Sequence, residues 1–397
     1  MKNKESLRTL TQKLQDKGID VETIKETLKG QRIETPSWGY ADSGTRFMVF
    51  KQPGAARSIF EKLEDAACVH KLTGITPTVA VHVLWDFADA DVAEARAYAE
   101  SLGVSIGAVN PTLFERPAYK YGSLAHPDKK VRQKAVEHTL HSIEIMRQCD
   151  SRYMSVWLAD GTNYPGQDSL RERKHRIAEN LKKVHDALDN GMQMLLEYKF
   201  FEPAFYSTDI ADWGMAYVFA AKCGPKAKVL VDLGHHPLGT NIEQIVSFLA
   251  DEQMLGGFHF NSKKYADDDL TVGSMNPYEL FLIFNELVSA NDGPGWCDLA
   301  YMIDQSHNVK PKIEAMIQSV MNIQQTYAKA LCVDSKALKQ ARQACDVIGA
   351  EQVLKEAFYT DVSCLVESVR EEMGLTPDPM QAYRQSGYQR KIEEQRT

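Results

Sequence analysis

Short apolar segments alternate along the chain with longer segments whose apolar residues recur every three or four positions. This alternation predicts β-strands connected by amphipathic α-helices. The predicted strands are RFMVF, VAVHVLWDF, SIGAVN, YMSVWLAD, MLLEYKF, KVLVDLGHH, GGFHFN and LAYMIDQ. Helices are predicted between them, near residues 55–73, 89–102, 128–149, 168–190, 209–222, 241–252 and 277–290.

Eight strands separated by helices predict an α/β fold, with a parallel sheet closed into a (β/α)8 TIM barrel. No glycine-rich phosphate motif follows the first strands, which counts against a dinucleotide-binding fold. We expect an N-terminal helical segment over residues 1–36 and the catalytic barrel over residues 37–311. A helical extension over residues 312–397 is expected to supply subunit contacts.

Composition narrows the possible partners. The 397 residues carry a net charge of -8, and no Lys/Arg cluster alternates with aromatic residues, so neither nucleic acid nor a membrane is an expected partner. The charged N-terminus and the lack of any apolar segment of about 18 residues predict a soluble, cytoplasmic protein. Seven cysteines lie far apart without CxxC spacing, which predicts buried, reduced thiols.

Acidic residues and a histidine stand at similar places on four successive predicted strands. Glu197 follows LL, Asp232 follows VLV, His259 follows GGF and Asp304 follows YMI. A polar residue that closes an apolar strand costs desolvation free energy unless a partner satisfies it. Because the C-terminal ends of barrel strands meet at one mouth, we expect these side chains to converge there.

Further candidates lie just beyond the same strands. Lys199 and His235 are expected to reach higher into the cavity, and Asp267 and Asp269 alternate at i and i+2, which in extended backbone points both carboxylates the same way. Five carboxylates at one point would repel one another without cations. The mixed oxygen and nitrogen donor set therefore predicts two divalent metal ions, Mn²⁺ in preference to Co²⁺ or Mg²⁺.

Each residue taken alone has a simpler interpretation. An acidic residue at a strand end is often a helix cap or a solvated group, and a lone histidine is often a hydrogen-bonded core residue. For the whole set, these simpler interpretations would have to hold independently at four strand ends and in the DxD loop. The pattern therefore favours a metal site. His82 and Trp85 close the second predicted strand and Trp157 the fourth, where they either pack in the core or flank a polar ring or chain.

Several longer motifs carry a resemblance over most of the chain. They are SWGYADSGTRF, EYKFFEP, DLGHHPLGTNIEQ, GFHFNSKKYADDDLTVGS and YMIDQSHN. The chain resembles the L-rhamnose isomerase branch related to xylose isomerase, known from bacterial broad-specificity aldose–ketose isomerases. The resemblance implies one metal ion held by Glu197, Asp232, His259 and Asp304, and a second held by His235, Asp267 and Asp269 with Glu197 bridging the two.

The resemblance also implies roles around the sugar. It places His82 and Trp157 against the substrate and Lys199 near its carbonyl end, and we add Trp85 as a further substrate contact. An aromatic residue of such enzymes can enter a neighbouring subunit's site, for which Phe50 is the candidate, and the helical extension implies a homotetramer. Lys199, Asp304 and His235 are the expected catalytic residues.

The predicted reaction is the conversion of L-rhamnose to L-rhamnulose. No residue in this set is an obvious base for a carbon-bound proton, which favours a hydride shift between C1 and C2 over an enediol. A ketose 3-epimerase of the same superfamily is the alternative, although it needs two carboxylates facing each other across C3. A phosphate-ester hydrolase would need cationic groups at the mouth, where Lys263 and Lys264 are the candidates.

Overall fold

Eight parallel strands form a closed barrel in the computed structural model, which describes residues 2–44, 49–202, 206–290 and 299–396. The strands are β1 (Glu34–Pro36), β2 (Thr78–His82), β3 (Ser105–Asn110), β4 (Tyr153–Trp157), β5 (Gln193–Glu197), β6 (Ala227–Asp232), β7 (Leu255–Phe260) and β8 (Ala300–Ile303). Each strand pairs with its neighbours in chain order, and β1 pairs with both β2 and β8. The predicted (β/α)8 class is confirmed.

The first barrel strand differs from the predicted one. RFMVF was expected to open the barrel, but its first three residues lie outside the described ranges, and Val49–Phe50 forms a small ribbon with Ser43–Gly44. The barrel closes instead through Glu34–Pro36, which lies in the segment predicted to be helical. This strand is too short and too polar to show an apolar pattern, and its backbone partners on β2 and β8 hold it in place.

Helices surround the barrel and follow the predicted rhythm closely. They are α1 (Lys2–Gln15), α2 (Val21–Lys29), α3 (Ile59–Thr73), α4 (Val83–Asp86), α5 (Val92–Ser101), α6 (Lys129–Cys149), α7 (Leu170–Ala187), α8 (Trp213–Cys223), α9 (Ile242–Asp251) and α10 (Pro277–Ala290). Many begin at a Ser, Asp or Asn whose side chain accepts a backbone N–H of the first turn, as Ser58 does for α3 and Asp91 for α5. Among the described helices, none is long and apolar enough to cross a membrane.

The C-terminal extension packs on the outside of its own barrel. Its helices are α11 (Lys312–Leu331), α12 (Ser335–Gln343), α13 (Val347–Tyr359), α14 (Ser363–Glu372), α15 (Pro379–Ser386) and α16 (Tyr388–Gln395). Arg396 is buried and donates to both carboxylate oxygens of Asp65 on α3, at 2.7 and 3.0 Å. The last described part of the extension therefore packs against α3 of the same chain. Its part in subunit contacts stays a prediction.

Side chains fill the barrel interior below the mouth, so the cavity at the mouth is closed at its base. Small and aliphatic side chains form a separate buried cluster there, made of Ala80, Ala108, Leu195, Leu230, Ala300 and Met302. The Glu34 carboxylate also lies inside and accepts the Ala108 N–H at 2.9 Å. It occupies the space that a side chain on Gly107 would need. The interior is thus a packed support for the groups above it.

The prediction of buried thiols is correct only in part. Cys149, Cys223, Cys332 and Cys364 are buried and free, and Cys68 is half-buried. Cys345 is exposed in the turn between α12 and α13, so the prediction was wrong there, because apolar spacing in a helical hairpin does not show which face is covered. Cys297 lies outside the described residues.

Candidate active site

A cavity of about 500 Å³ opens at the C-terminal ends of the strands. Its two halves differ in chemistry, with aromatic side chains from the segments after β1 to β4 and charged side chains from the ends of β5 to β8. The volume and the mixed lining are typical of a site for a small polar ligand. The position agrees with the general location of active sites in this fold.

Four of the predicted ligands converge at the charged end of the cavity. One ligand atom from each of Glu197, Asp232, His259 and Asp304 lies within 4.8 Å of the others. The Nδ1 atom of His259 is 3.1 Å from Glu197 Oε1, 3.7 Å from Asp232 Oδ2 and 3.6 Å from Asp304 Oδ2. Since three of the four are buried, this arrangement presents one nitrogen and three carboxylates to a single point.

The Asp232 carboxylate is oriented by groups behind it. Its Oδ1 accepts the Gly234 N–H at 2.6 Å, and the Asn261 side-chain amide lies 2.9 Å from Oδ1 and 3.2 Å from Oδ2. Oδ2 is the oxygen that faces His259. Asn261 was not among the predicted site residues, although it ends the GFHFN motif two positions after His259. Its place beyond that strand end was the only available signal.

The remaining predicted ligands lie beside this cluster. His235 Nδ1 is 3.2 Å from Glu197 Oε1, and its Nε2 is 2.8 Å from Asp267 Oδ1. The Lys199 ammonium forms ion pairs with Asp267 and with Glu202, the latter at 2.8 Å. Glu197 and Asp267 therefore lie on either side of the His235 ring.

The acidic loop does not have the predicted extended backbone. Asp267 and Asp269 adopt left-handed conformations, with φ of 53° and 45°. Asp268 holds this turn, because its carboxylate accepts the backbone N–H groups of Lys264, Tyr265 and Ala266. The i, i+2 argument was wrong in its geometry, since a turn organised by a side chain leaves no mark in an alternation pattern. Asp269 nevertheless lines the cavity.

The charges of the site shift several pKa values. Burial lowers the pKa of His259, but Glu197, Asp304 and Asp232 outweigh it and raise that pKa to about 10. In the same way burial opposes and nearby carboxylates raise the pKa of His235, to about 9. Burial and neighbouring carboxylates raise the pKa of Asp269 well above its ordinary value. The isolated chain therefore holds protons where excess negative charge would otherwise collect.

An aromatic wall faces the charged end. His82 and Trp85 lie with ring centroids 4.0 Å apart, Trp38 packs edge-on against His82 at 4.8 Å, and Phe114 lies 4.9 Å from Trp157. Trp85 lies on α4 rather than on a strand, contrary to the prediction, because the chain turns into a helix directly after His82. Trp38 and Phe114 were not predicted, since neither follows an apolar run.

Asp232 is fully buried behind the cluster, and three of the other predicted residues lie away from the cavity. Phe50 is 47% exposed on its short ribbon, so its proposed entry into a neighbouring subunit's site stays a prediction. Lys263 donates to the His236 backbone carbonyl at 2.7 Å, and Lys264 lies over the Tyr265 ring. Neither lysine is placed to hold a phosphate in the cavity, which removes the feature that favoured the hydrolase alternative.

Comparison with known proteins identifies the family. The model of the xylose isomerase-like TIM barrel family matches residues 70–311, which is more than half of the chain. The chain belongs to this family. Two relatives are each named "probable sugar isomerase", one from Rhizobium meliloti (strain 1021) and one from Mesorhizobium japonicum. Each is 42% identical over 394 residues, which cover 98% of this chain and 91% of the relative.

Solved structures of similar fold share less sequence identity with this chain than the two relatives do. An L-ribulose 3-epimerase aligns with a TM-score of 0.58 at 15% identity, covering 80% of this chain and 98% of the epimerase. A D-psicose 3-epimerase in the presence of D-fructose aligns with a TM-score of 0.53 at 15% identity, covering 76% and 97%. At this identity the likeness shows the barrel fold alone.

Proposed function

We propose that this protein is a divalent-metal-dependent aldose–ketose isomerase whose best reaction converts L-rhamnose into L-rhamnulose. The observation that carries the proposal is the convergence of Glu197, Asp232, His259 and Asp304 at the base of a cavity of sugar size. The names of the two relatives support an isomerase of sugars. The choice of L-rhamnose depends on the motif resemblance.

The donor set fits divalent ions. Asp269 Oδ1 is buried without a hydrogen-bond partner among the described residues, and three other carboxylates meet at the cluster. Bound cations would offset the desolvation of the first and the mutual repulsion of the others. We assign a first ion to Glu197, Asp232, His259 and Asp304, and a second to His235, Asp267 and Asp269 with Glu197 shared. Oxygen and imidazole donors without thiolates favour Mn²⁺, with Co²⁺ or Mg²⁺ as alternatives.

The reaction moves the C2 hydrogen with its electron pair to C1 and transfers the O2 proton to O1. Bound divalent ions would neutralise charge that develops on the sugar oxygens and lower the pKa of a bound water. Lys199 would donate a hydrogen bond at the O1 side. Asp267 and Glu202 overcome the effect of burial and keep the pKa of Lys199 above its ordinary value, so its role is electrostatic. Asp304 and His235 complete the proposed catalytic residues.

The aromatic wall would contact the rest of the sugar. Burial lowers the pKa of His82 to about 3, so a neutral imidazole lies beside the rings of Trp38 and Trp85. Such a wall discriminates weakly, since one methyl or methylene group is worth only about 1–3 kcal/mol in an apolar pocket. We therefore expect slower conversion of L-mannose, L-lyxose or D-allose. We also propose a homotetramer in which Phe50 of one subunit approaches the site of the next.

The proposal is tested by incubating Mn²⁺-loaded protein with L-rhamnose in D₂O. L-rhamnulose should form with little deuterium at C1, because a hydride shift keeps the hydrogen within the sugar. Near-complete incorporation would show an enediol and a base outside the proposed set. Absence of any aldose–ketose conversion with these sugars would refute the isomerase assignment.

A ketose 3-epimerase is the second candidate. The two structural neighbours above are named as such epimerases, and their fold is shared with this chain. Asp304 and the acidic loop favour the isomerase, because the loop supplies donors for a second ion, whereas epimerization at C3 needs two carboxylates opposed across one carbon. Incubation with D-psicose separates the two, since an epimerase would convert it at C3 while leaving L-rhamnose unchanged.

A further inference from the structure

Asp304 is the least enclosed of the four clustered residues. Its side chain is 19% exposed, while the other three are at most 4% exposed. Its Oδ1 accepts a hydrogen bond from Trp38 Nε1 at 2.8 Å, and its Oδ2 lies 3.6 Å from His259 Nδ1. The Trp38 indole therefore decides which oxygen of Asp304 faces the cluster.

Trp38 depends in turn on its neighbours for its position. It lies in the short 3-10 helix Ser37–Tyr40 directly after β1. Its ring packs edge-on against His82. The hydroxyl of the preceding residue, Ser37, donates to Asp86 Oδ2 at 2.7 Å. The orientation of the indole thus depends on how this segment is held against the end of β2.

Asp86 joins three separate segments at that point. Its side chain is fully buried and accepts three hydrogen bonds, from Lys62 Nζ at 2.6 Å, from Ser37 Oγ at 2.7 Å and from the His82 N–H at 2.7 Å. Lys62 comes from α3, Ser37 follows β1, and His82 ends β2. A buried carboxylate is tolerated because it is paired with the ammonium and its acceptors are satisfied.

We propose that Asp86, neutralised by Lys62, is a positioning residue for Asp304. It fixes the Ser37–Trp38 segment against His82 and thereby holds the indole N–H on Asp304 Oδ1. The inference rests on the proposed function in one respect, namely that Asp304 binds a divalent ion. Asp86, Lys62 and Trp38 were not among the predicted site residues.

The size of the effect follows from the behaviour of groups that orient metal ligands. Removing such a partner typically lowers metal affinity by about 10–100-fold. Trp38→Phe keeps an aromatic ring, although a smaller one, and removes the indole N–H, so it should raise the Mn²⁺ dissociation constant by about tenfold or more. Asp86→Asn should raise it by about tenfold. Because both substitutions act through Asp304, the double variant should bind Mn²⁺ no more weakly than the weaker-binding single variant.

The experiment is equilibrium dialysis of the full chain against Mn²⁺, with thermal unfolding of every variant in parallel. Asp65→Asn is the matched control, because Asp65 is, like Asp86, a buried aspartate with an ion-pair partner. It lies on α3, is paired with Arg396 at 2.7 Å and accepts a hydrogen bond from the Tyr388 hydroxyl at 2.9 Å. It should lower the unfolding temperature without changing Mn²⁺ affinity. If Asp86→Asn does not fold, Ser37→Ala replaces it, with a loss of about threefold or more expected.

If the wild-type protein binds Mn²⁺, either of two results would overturn the inference. Asp86→Asn and Ser37→Ala that bind Mn²⁺ like the wild type, or effects of Asp86→Asn and Trp38→Phe that add, would show that Asp86 does not act through Trp38. Wild-type protein that binds no divalent ion would refute the proposed function together with this inference. Normal wild-type binding with unchanged variants refutes only the positioning role.

Discussion

A single oxygen of Glu197 lies close to both histidines that we propose as metal ligands. Its Oε1 is 3.1 Å from His259 Nδ1 and 3.2 Å from His235 Nδ1, and the side chain is buried. A carboxylate in this position could bind both proposed ions, whereas Asp269 could bind only the second ion. The two residues are therefore expected to differ sharply when their charge is removed.

Glu197→Gln should reduce activity by about tenfold more than Asp269→Asn, because the first change removes a shared ligand and the second removes one ligand of one ion. Metal content by atomic absorption and the turnover rate with L-rhamnose measure the difference. Both substitutions keep side-chain size, so each is a control for the other. The opposite order would show that Glu197 does not bridge.

The histidines also determine a pH dependence of the metal-free protein. The pKa values of about 9 for His235 and about 10 for His259 lie above the usual value for unfolded chains, near 6.5. The folded state then binds protons that the unfolded state has lost, so this stabilisation is complete below pH 6.5 and disappears as the pH rises through 9 to 10.

Metal-free protein should thus lose thermal stability as the pH rises from about 6.5 to about 9. Saturating Mn²⁺ should abolish most of this loss, because the ions replace the protons as counter-charges. Unfolding temperatures at matched ionic strength, with and without chelator, are the measurement. A metal-free protein equally stable at both pH values would contradict the raised pKa values.

At the scale of elements, the loop between β7 and α10 carries Asp267 and Asp269. Asp268 holds its left-handed turns through three backbone N–H groups. An ion bound there has two of its proposed ligands on a loop, whereas the ligands of the first ion lie at the ends of rigid strands. Mn²⁺ titration should therefore give a tight and a weak step, with isomerase activity following the weak one.

Asp268→Ala should weaken the second step by about tenfold while leaving the first unchanged, although Asp268 is not a proposed ligand. Asp91→Ala is a suitable control, because Asp91 likewise accepts a backbone N–H, from Glu94 at 2.9 Å at the start of α5. That control should lose some stability and no metal. Equal Mn²⁺ binding by both variants would argue against an ion on the loop.

The ion pair between Arg396, which follows α16, and Asp65 on α3 is expected to contribute to the stability of the fold. Arg396 is buried with Asp65, and removing one partner of a buried ion pair typically costs about 3–5 kcal/mol. Arg396→Met should therefore lower the free energy of unfolding by several kcal/mol. Arg384→Met should cost less than about 1 kcal/mol, because the Arg384 pair with Glu314 is exposed.

Denaturant titration of the two variants provides the comparison. Both remove one arginine from the extension, so net charge changes equally and only burial of the lost pair differs. A similar small effect for both would mean that the end of the extension is not closely packed on α3 in solution. A large effect only for Arg396→Met is the expected result.

Local sequence pattern was enough to predict β2 to β8 and the residues at their C-terminal ends. Each of these strands is an apolar run that must be buried, and the polar residue that ends it marks the barrel mouth, so Glu197, Asp232, His259 and Asp304 could be found from local pattern alone. The helices between them were equally visible, because their apolar spacing and capping residues are local properties.

Other features of the fold and the site depend on contacts between distant parts of the chain. Glu34–Pro36 is a strand because β2 and β8 offer it hydrogen bonds, and its sequence has no pattern of its own. The contacts of Trp38 with Asp304 and of Asp86 with Lys62 join residues far apart in the chain, and no periodicity encodes them. A local pattern records that a segment is buried, whereas the partner that buries it is set by closure of the whole barrel.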